Sequence, residues 1–256
     1  MPQLLLASAS PARLATLQRA GVEPLVRASN VDEEEELRTA SQRFGSLSAP
    51  EEALVLARAK AEAVAQQRQA EALPRERSTE TLAQQREAEG PPREPAGGLP
   101  REPAGRLPSK PAGDHADADF DADVVILGCD SILEFAGHSW GKPADAAQAR
   151  ARWLQMAGNS GVLHTGHWLI DEATGRMTGA STATEVHFAA LTEAEIDAYL
   201  ETEEPLNVAG AFTIDGHGGW FIERIVGDHH TVVGVSLPLL RKLLADIGIS
   251  VVDLWR

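Results

Sequence analysis

Apolar residues in this chain come in short unbroken runs, separated by stretches in which they recur every three or four positions; this pattern predicts strands interleaved with helices. The first run, Leu4–Ala7, reads as a buried strand. Ser10 then supplies a hydroxyl cap and Pro11 a first helical position, so a helix is expected to Ala20, stopped at Gly21. Leu25–Ser29 reads as a second strand. A long helix is expected from Pro50 to about Gln69, with Leu54, Ala57, Ala61 and Val64 at helical spacing on its buried face. Asp123–Gly128 is a continuous apolar run suited to a buried strand, and Ile132–Phe135 continues it after a kink. Ala144–Met156 reads as a helix closed at Gly158, followed by strands Val162–Ile170 and Thr178–Phe188 around a turn at Thr174-Gly175. Thr192 and Glu195 have the spacing of a capping box opening a helix to about Leu200. Trp220–Ile225 reads as a strand, Pro238 opens a last helix to Ile247, and Val251–Leu254 reads as a terminal strand. The mixture predicts an α/β or α+β class with a mixed sheet.

Between residues 68 and 122 the pattern breaks. Arg93–Pro100 (REPAGGLP) recurs as Arg101–Pro108 (REPAGRLP), amid proline, glycine, arginine and glutamate. Such a composition buries too little apolar surface to offset ordering, so 68–122 is expected to be a disordered low-complexity insertion in a single domain spanning 1–256, with some helix at Glu80–Glu89. Two uses fit it, a spacer without chemistry or an arm that docks another protein.

The 256 residues, 43% of them hydrophobic, suffice for a sizeable core. No apolar run reaches the roughly 20 residues of a membrane span, and the N-terminus lacks a basic region before its short apolar stretch, so neither a membrane segment nor a signal peptide is expected. Cys129 is the single cysteine, which points to the cytosol. A net charge of −15 repels nucleic acid. It repels a free polyphosphate too, so a nucleotide site here needs a local cluster of cations and a divalent metal.

Five constellations carry candidate chemistry. In Ser8-Ala9-Ser10-Pro11-Ala12-Arg13 a strand gives way to a helix start, where free N–H groups and the helix dipole favour an anion; the alternative is a simple cap with Arg13 on the surface. The acid run Asn30–Glu36 reads as a solvated loop, with one or two members able to ligate magnesium. Asp130, after the run ending at Gly128, stands where a strand's carboxyl end would place a metal ligand or proton acceptor, and Lys142 sits in a Gly-Lys-Pro turn. Their alternatives are a turn-capping acid and a surface lysine. Lys60 lies among alanines small enough to admit a ligand, or faces solvent. The segment Glu204–Gly219 carries glycines suited to a backbone that hugs a ligand, and Asp215 as an acceptor for a base edge; a surface loop is the alternative. His164 and His167 lie three apart in a strand and face opposite sides, and His229-His230 diverge in an extended chain, so neither pair is expected to bind zinc. Neither a Walker loop nor GxGxxG is present.

Taken in order, these motifs resemble the Maf (septum formation inhibitor) family. The residues carrying the resemblance are Leu6-Ala7-Ser8-Ala9-Ser10-Pro11-x-Arg13, Ser29-x-Val31-Asp32-Glu33, Leu56-Ala57-x-x-Lys60-Ala61, Gly128-x-Asp130-Ser131, Gly141-Lys142-Pro143, Glu204-Pro205, Ala209–Phe212 and Glu223-Arg224-Ile225-x-Gly227-Asp228. The resemblance implies an elongated mixed-sheet α/β fold related to inosine-triphosphate pyrophosphatases. It also implies hydrolysis of a nucleoside triphosphate between the α and β phosphates, dependence on magnesium or another divalent ion such as manganese or cobalt, and a homodimer. It makes Asp130 the proton acceptor and places Ser8, Arg13, Glu33, Lys60 and Lys142 on the phosphate and metal side; on that basis Arg13, Lys60 and Lys142 are expected to supply the cations, and Glu33 with Asp130 to hold the metal. A nucleotide-binding regulator of division with little turnover is the rival reading. At the positions that separate the family's branches this chain departs from both: Ala12 replaces arginine or tryptophan, Ser131 threonine or glutamine, and Asp215 glutamine or glutamate. An acceptor-only carboxylate suits the donors of a guanine edge, which favours a guanine-type or modified purine.

Overall fold

The computed structural model describes residues 2–88 and 123–256. The described residues fall into two units, residues 2–66 with 123–256, and residues 67–88. In chain order the elements are β1 (Gln3–Leu6), α1 (Pro11–Arg19), β2 (Leu25–Val26), α2 (Glu33–Phe44), α3 (Ala49–Ala88), β3 (Val124–Phe135), β4 (His138–Trp140), α4 (Ala146–Met156), β5 (Ser160–Asp171), β6 (Met177–Phe188), α5 (Glu193–Glu201), β7 (Ile222–Val226), α6 (His229–Val233) and α7 (Leu237–Asp246). The expected α/β class with a mixed sheet holds. Seven strands form one sheet in the order β2-β1-β3-β5-β6-β7, with β4 also paired to β3. β1 is parallel to β2 and β3, and the other pairings are antiparallel.

β3 organises the larger unit. On one flank it pairs with β5 from Val125 to Glu134. On the other, β1 covers Val124–Leu127 and β4 covers Leu133–Phe135, so residues 128–132 have no strand beside them there. Alternation along β3 feeds two cores on one face. Val125, Leu127 and Cys129 join Leu6, Leu17 and the α7 leucines Leu240, Leu243 and Leu244. Leu133 and Phe135 join Trp153, Phe188, Tyr199 and Phe212. Trp153 is fully buried and meets Phe188, Tyr199 and Phe221 edge-on, while its indole N–H donates to Ala211 O at 2.7 Å. Truncating such an anchor costs about 3–5 kcal/mol.

Several expectations are corrected. The acid run does not end in a loop: Asp32 caps α2 by accepting the Glu35 N–H at 3.1 Å, and Glu33–Glu36 fill a first turn whose dipole favours negative charge. β2 is two residues long rather than extending to Ser29. β3 passes from Gly128 to Ile132 without a kink, held throughout by β5. The last strand begins at Ile222, with Trp220 in a 3-10 turn and 86% exposed. Val251–Leu254 is a 3-10 turn closed by a Ser250–Asp253 capping box. His229 and His230 stand in α6, not in an extended chain. The buried stripe of α3 is Ala49, Ala53, Leu56, Ala57, Lys60, Ala61, Val64, Ala65 and Arg68, with Leu54 only half-buried. α3 continues past Gln69 to Ala88, and the repeats, with the remaining expectations for 89–122, lie outside the described residues. Among the described residues no helix is long and apolar enough to cross a membrane.

Candidate active site

The stretch of β3 that lacks a strand neighbour opens a cleft of about 720 Å³, a volume suited to a small-molecule ligand. It is lined by the β1–α1 turn, Ser29–Glu33, Lys60, Asp130–Ile132, Gly141-Lys142, and the segments 207–213 and 232–233. Ladder geometry explains the first side chain in it. The Leu127 carbonyl still receives the Ala7 N–H at 2.8 Å, but two residues on, the Cys129 carbonyl points the same way with β1 already finished. Arg13 takes its place: Nη1 donates to Cys129 O at 2.9 Å and to Ser8 Oγ at 3.2 Å, Nη2 to Ser131 Oγ at 3.3 Å, and Nε to Gly234 O at 2.9 Å. Of the five N–H groups of a guanidinium, one on Nη2 is left for a ligand. Ser10 caps α1, accepting the Arg13 N–H at 3.4 Å, which fixes the helix turn that carries this arginine.

Across the sheet, Asp130 follows Gly128 by two and so shares its face. On that face α3 lies directly against the strands. A methyl on Gly128 would stand 2.0 Å from Ala57 O, and one on Gly166, the residue paired with Asp130, 2.2 Å from Ala53 O. The alanines near Lys60 therefore admit the sheet, not a ligand, and their smallness seats Lys60 beside Asp130. Lys60 is 8% exposed; its ammonium donates to Asp130 Oδ1 and lies 2.6 Å from Glu33 Oε1. Asp130 sits in the middle of β3 instead of past its end, because β3 outruns its parallel partner there. Burial raises the Asp130 carboxyl above the ordinary aspartate range, and Glu33 adds to this against the pull of Lys60 and Arg13. For the more open Glu33, burial also pushes upward, but Lys60, Lys142 and Arg13 outweigh it and hold the carboxyl low. The cleft thus carries two acids of opposite shift, one ionised early and one with the basicity to accept a proton.

Ser8, Ser10, Ala12, Arg13, Glu33, Lys60, Asp130, Ser131 and Lys142 all line this cleft. Asp215 does not: it is exposed, with its carboxylate accepting from Thr213 Oγ1, and Thr213 is the lining residue. The glycines of the last segment hug protein. Gly216 and Gly218 pack against Glu204 and Thr213, and Gly210 against Leu133. Glu204 gathers that turn, accepting from Tyr199 Oη and from the His217 and Gly218 N–H groups. Sequence reasoning missed Thr165 and the role of Gly128 and Gly166. For the glycines the sequence carried only half of the signal, an alanine-rich helix stripe, and not that this stripe lies on Gly128 and Gly166.

Two hard carboxylates fit a magnesium-type ion that completes its coordination with water and ligand phosphates. Among the described residues no cluster of three or more His, Cys, Asp or Glu side chains is placed to hold a metal. His164 bonds Glu134 and His167 accepts from Ser236 N–H, so the two histidines serve different neighbours.

Comparison with known proteins gives the same direction. Residues 3–247 match the family described as Maf-like protein. A nucleoside triphosphate pyrophosphatase of Salinispora tropica is 45% identical over 253 residues, covering 99% of this chain and 87% of the relative. One from Rhodococcus erythropolis is 44% identical over 260 residues, covering 100% and 98%. One from Streptomyces coelicolor is 41% identical over 256 residues, covering 99% and 94%.

Proposed function

The chain belongs to the Maf-like family, and from that premise we propose that its cleft hydrolyses a nucleoside triphosphate between the α and β phosphates, releasing a nucleoside monophosphate and pyrophosphate. The observation that carries the reading is the Glu33–Lys60–Asp130 bridge facing a pinned Arg13 in one cleft. Breaking a phosphoanhydride spreads negative charge over phosphoryl oxygens, so fixed cations at those oxygens lower the barrier. Arg13 offers its remaining Nη2–H, Lys60 its third ammonium proton, and Lys142, exposed at the rim, a mobile charge for the far end of the triphosphate. Asp130 orients a water and accepts its proton as the water oxygen bonds to phosphorus and pyrophosphate leaves. Glu33, kept ionised, and Asp130 would hold magnesium or a similar divalent ion, which neutralises phosphate charge when bound.

The base preference belongs to the same proposal. Asp215 stands outside the cleft lining, bonded to the lining Thr213, and a preference for a guanine-type or modified purine rests on its acceptor-only carboxylate reaching the base edge from there. Removal of non-standard nucleotides is the cellular role this chemistry fits. The single cysteine, buried at Cys129, suits the reducing cytosol. A homodimer is part of the reading, and a sedimentation mass at the 27.3 kDa of one chain would exclude it. The primary test is a panel of ordinary and modified nucleoside triphosphates scored for pyrophosphate with and without magnesium. The expected result is magnesium-dependent pyrophosphate release, strongest with guanine-type bases. Absence of pyrophosphate from every member overturns the function, and dTTP turned over as well as the guanine nucleotides removes Asp215 from base choice.

A further inference from the structure

Behind Arg13 lies a chain of hydroxyls. Thr165 is fully buried in β5 and stands opposite Ser131 in the antiparallel register. Its Oγ1 lies 2.9 Å from Ser131 Oγ and 2.9 Å from the carbonyl of Thr231, itself fully buried. A carbonyl only accepts, and a threonine hydroxyl has one proton, so that proton goes to Thr231 O. Thr165 Oγ1 can then only accept from Ser131, and Ser131, its own proton spent inward, is left with lone pairs toward Arg13 Nη2 at 3.3 Å. The direction of every bond is set by the buried carbonyl at the far end: Arg13 donates to Ser131, Ser131 to Thr165, and Thr165 to Thr231.

From this order we propose that Thr165 is a positioning residue for the proposed hydrolysis. By taking the Ser131 proton, it makes Ser131 an obligatory acceptor and fixes the Nη2 end of Arg13, so that its remaining N–H meets the substrate phosphates. Ser131 accordingly binds no phosphate through its own proton while this chain is intact. Without the Thr165 hydroxyl, Ser131 is free to turn its proton toward the cleft, where it opposes Arg13 Nη2–H instead of accepting from it. Three other bonds still hold Arg13 in place. The loss therefore falls on alignment in the transition state more than on binding of the ground state.

The inference rests on the triphosphate pyrophosphatase reading, and two measurements separate their failures. In steady-state assays, Thr165→Val is expected to lower kcat about tenfold with KM within about twofold. Thr165→Ser restores the rate, and Ser131→Ala combined with Thr165→Val falls no further than Ser131→Ala alone. Losses that multiply in the double variant, or wild-type kcat in Thr165→Val, overturn the proposal. The second measurement needs no turnover: the Arg13 Nη signals of the nitrogen-15-labelled full chain report rotation about the Cζ–Nη2 bond. Separate Nη2 signals are expected in wild type and Thr165→Ser, and averaged ones in Thr165→Val and in Ser131→Ala, which cuts the chain one link nearer the arginine should the valine variant not fold. Unchanged Arg13 signals in the variants that fold overturn the positioning role, whereas wild type releasing no pyrophosphate overturns the function alone.

Discussion

At the scale of single residues, the opposite shifts of Glu33 and Asp130 assign their duties. Glu33 is ionised below the usual carboxylate range and Asp130 only above its own, so an acid-side loss of activity belongs to Asp130. Activity should climb with pH through a midpoint above the ordinary aspartate value of 3.8. Asp130→Asn keeps the shape and is expected to lower kcat by about 10²–10⁴-fold without lowering the melting temperature. A residual rate in that variant with an unchanged acid limb would falsify the role of Asp130. His167 is a separate, structural case. It is buried with Nε2 accepting from Ser236 N–H at 2.8 Å, and burial, aided by the Arg13 charge, lowers its pKa to about 4 from 6.5. The unfolded chain takes up this proton near 6.5 and the native one only near 4, so stability falls as pH drops through that window and levels below it. Urea unfolding at pH 7 and pH 4.5 should show the loss, on the order of 3 kcal/mol over the full window, shrink in His167→Gln. An equal loss in both proteins assigns the effect to other groups.

At the scale of elements, the site depends on how closely α3 approaches the sheet. Gly128 and Gly166 on neighbouring strands lie under Ala57 and Ala53 with no room for a methyl. Gly128→Ala must therefore push α3 off β3, at a cost of about 1–3 kcal/mol. Because Lys60 rides on that helix and Asp130 lies two residues along that strand, turnover should fall much further than stability, a pairing read by thermal unfolding beside kcat. A destabilised variant with wild-type kcat would show that the bridge tolerates the shift. Ala57, Ala61 and Val64 of the buried α3 stripe were open to sequence reading from their helical spacing, whereas the inward turn of Lys60 was not, because burying its charge needs partners from elsewhere in the chain. The partners themselves, Glu33 and Asp130, were legible as acids but not as neighbours, since they lie on α2 and β3.

At the scale of the whole molecule, a chain of net charge −15 concentrates Arg13, Lys60 and Lys142 about one cleft, which offers a polyanion local attraction against a repulsive background. Both candidate metal ligands are held by Lys60, so magnesium alone competes with an ammonium, whereas magnesium carried by a triphosphate brings its own oxygens. Thermal unfolding should rise little with magnesium alone and clearly with magnesium plus an α,β-methylene triphosphate. The added stability would be about 2.7 kcal/mol at a concentration a hundredfold above Kd. A rise with magnesium alone equal to that with the pair contradicts the shared site.

The amino-acid sequence by itself determined what is local: the Ser10-Pro11 helix start, the Thr192–Glu195 capping box, the apolar runs of β1, β3 and β5, and the residue types able to bind phosphate and metal. Those follow from backbone sterics and from hydrogen bonds only a few residues apart. Only the tertiary structure decided that β1 and β4 leave residues 128–132 of β3 bare, that Arg13 fills the gap, that Lys60 faces inward, and that Thr165 stands behind Ser131. Each of these joins segments far apart in the chain, and strand register, which sets them, is a property of the paired sheet rather than of any one strand.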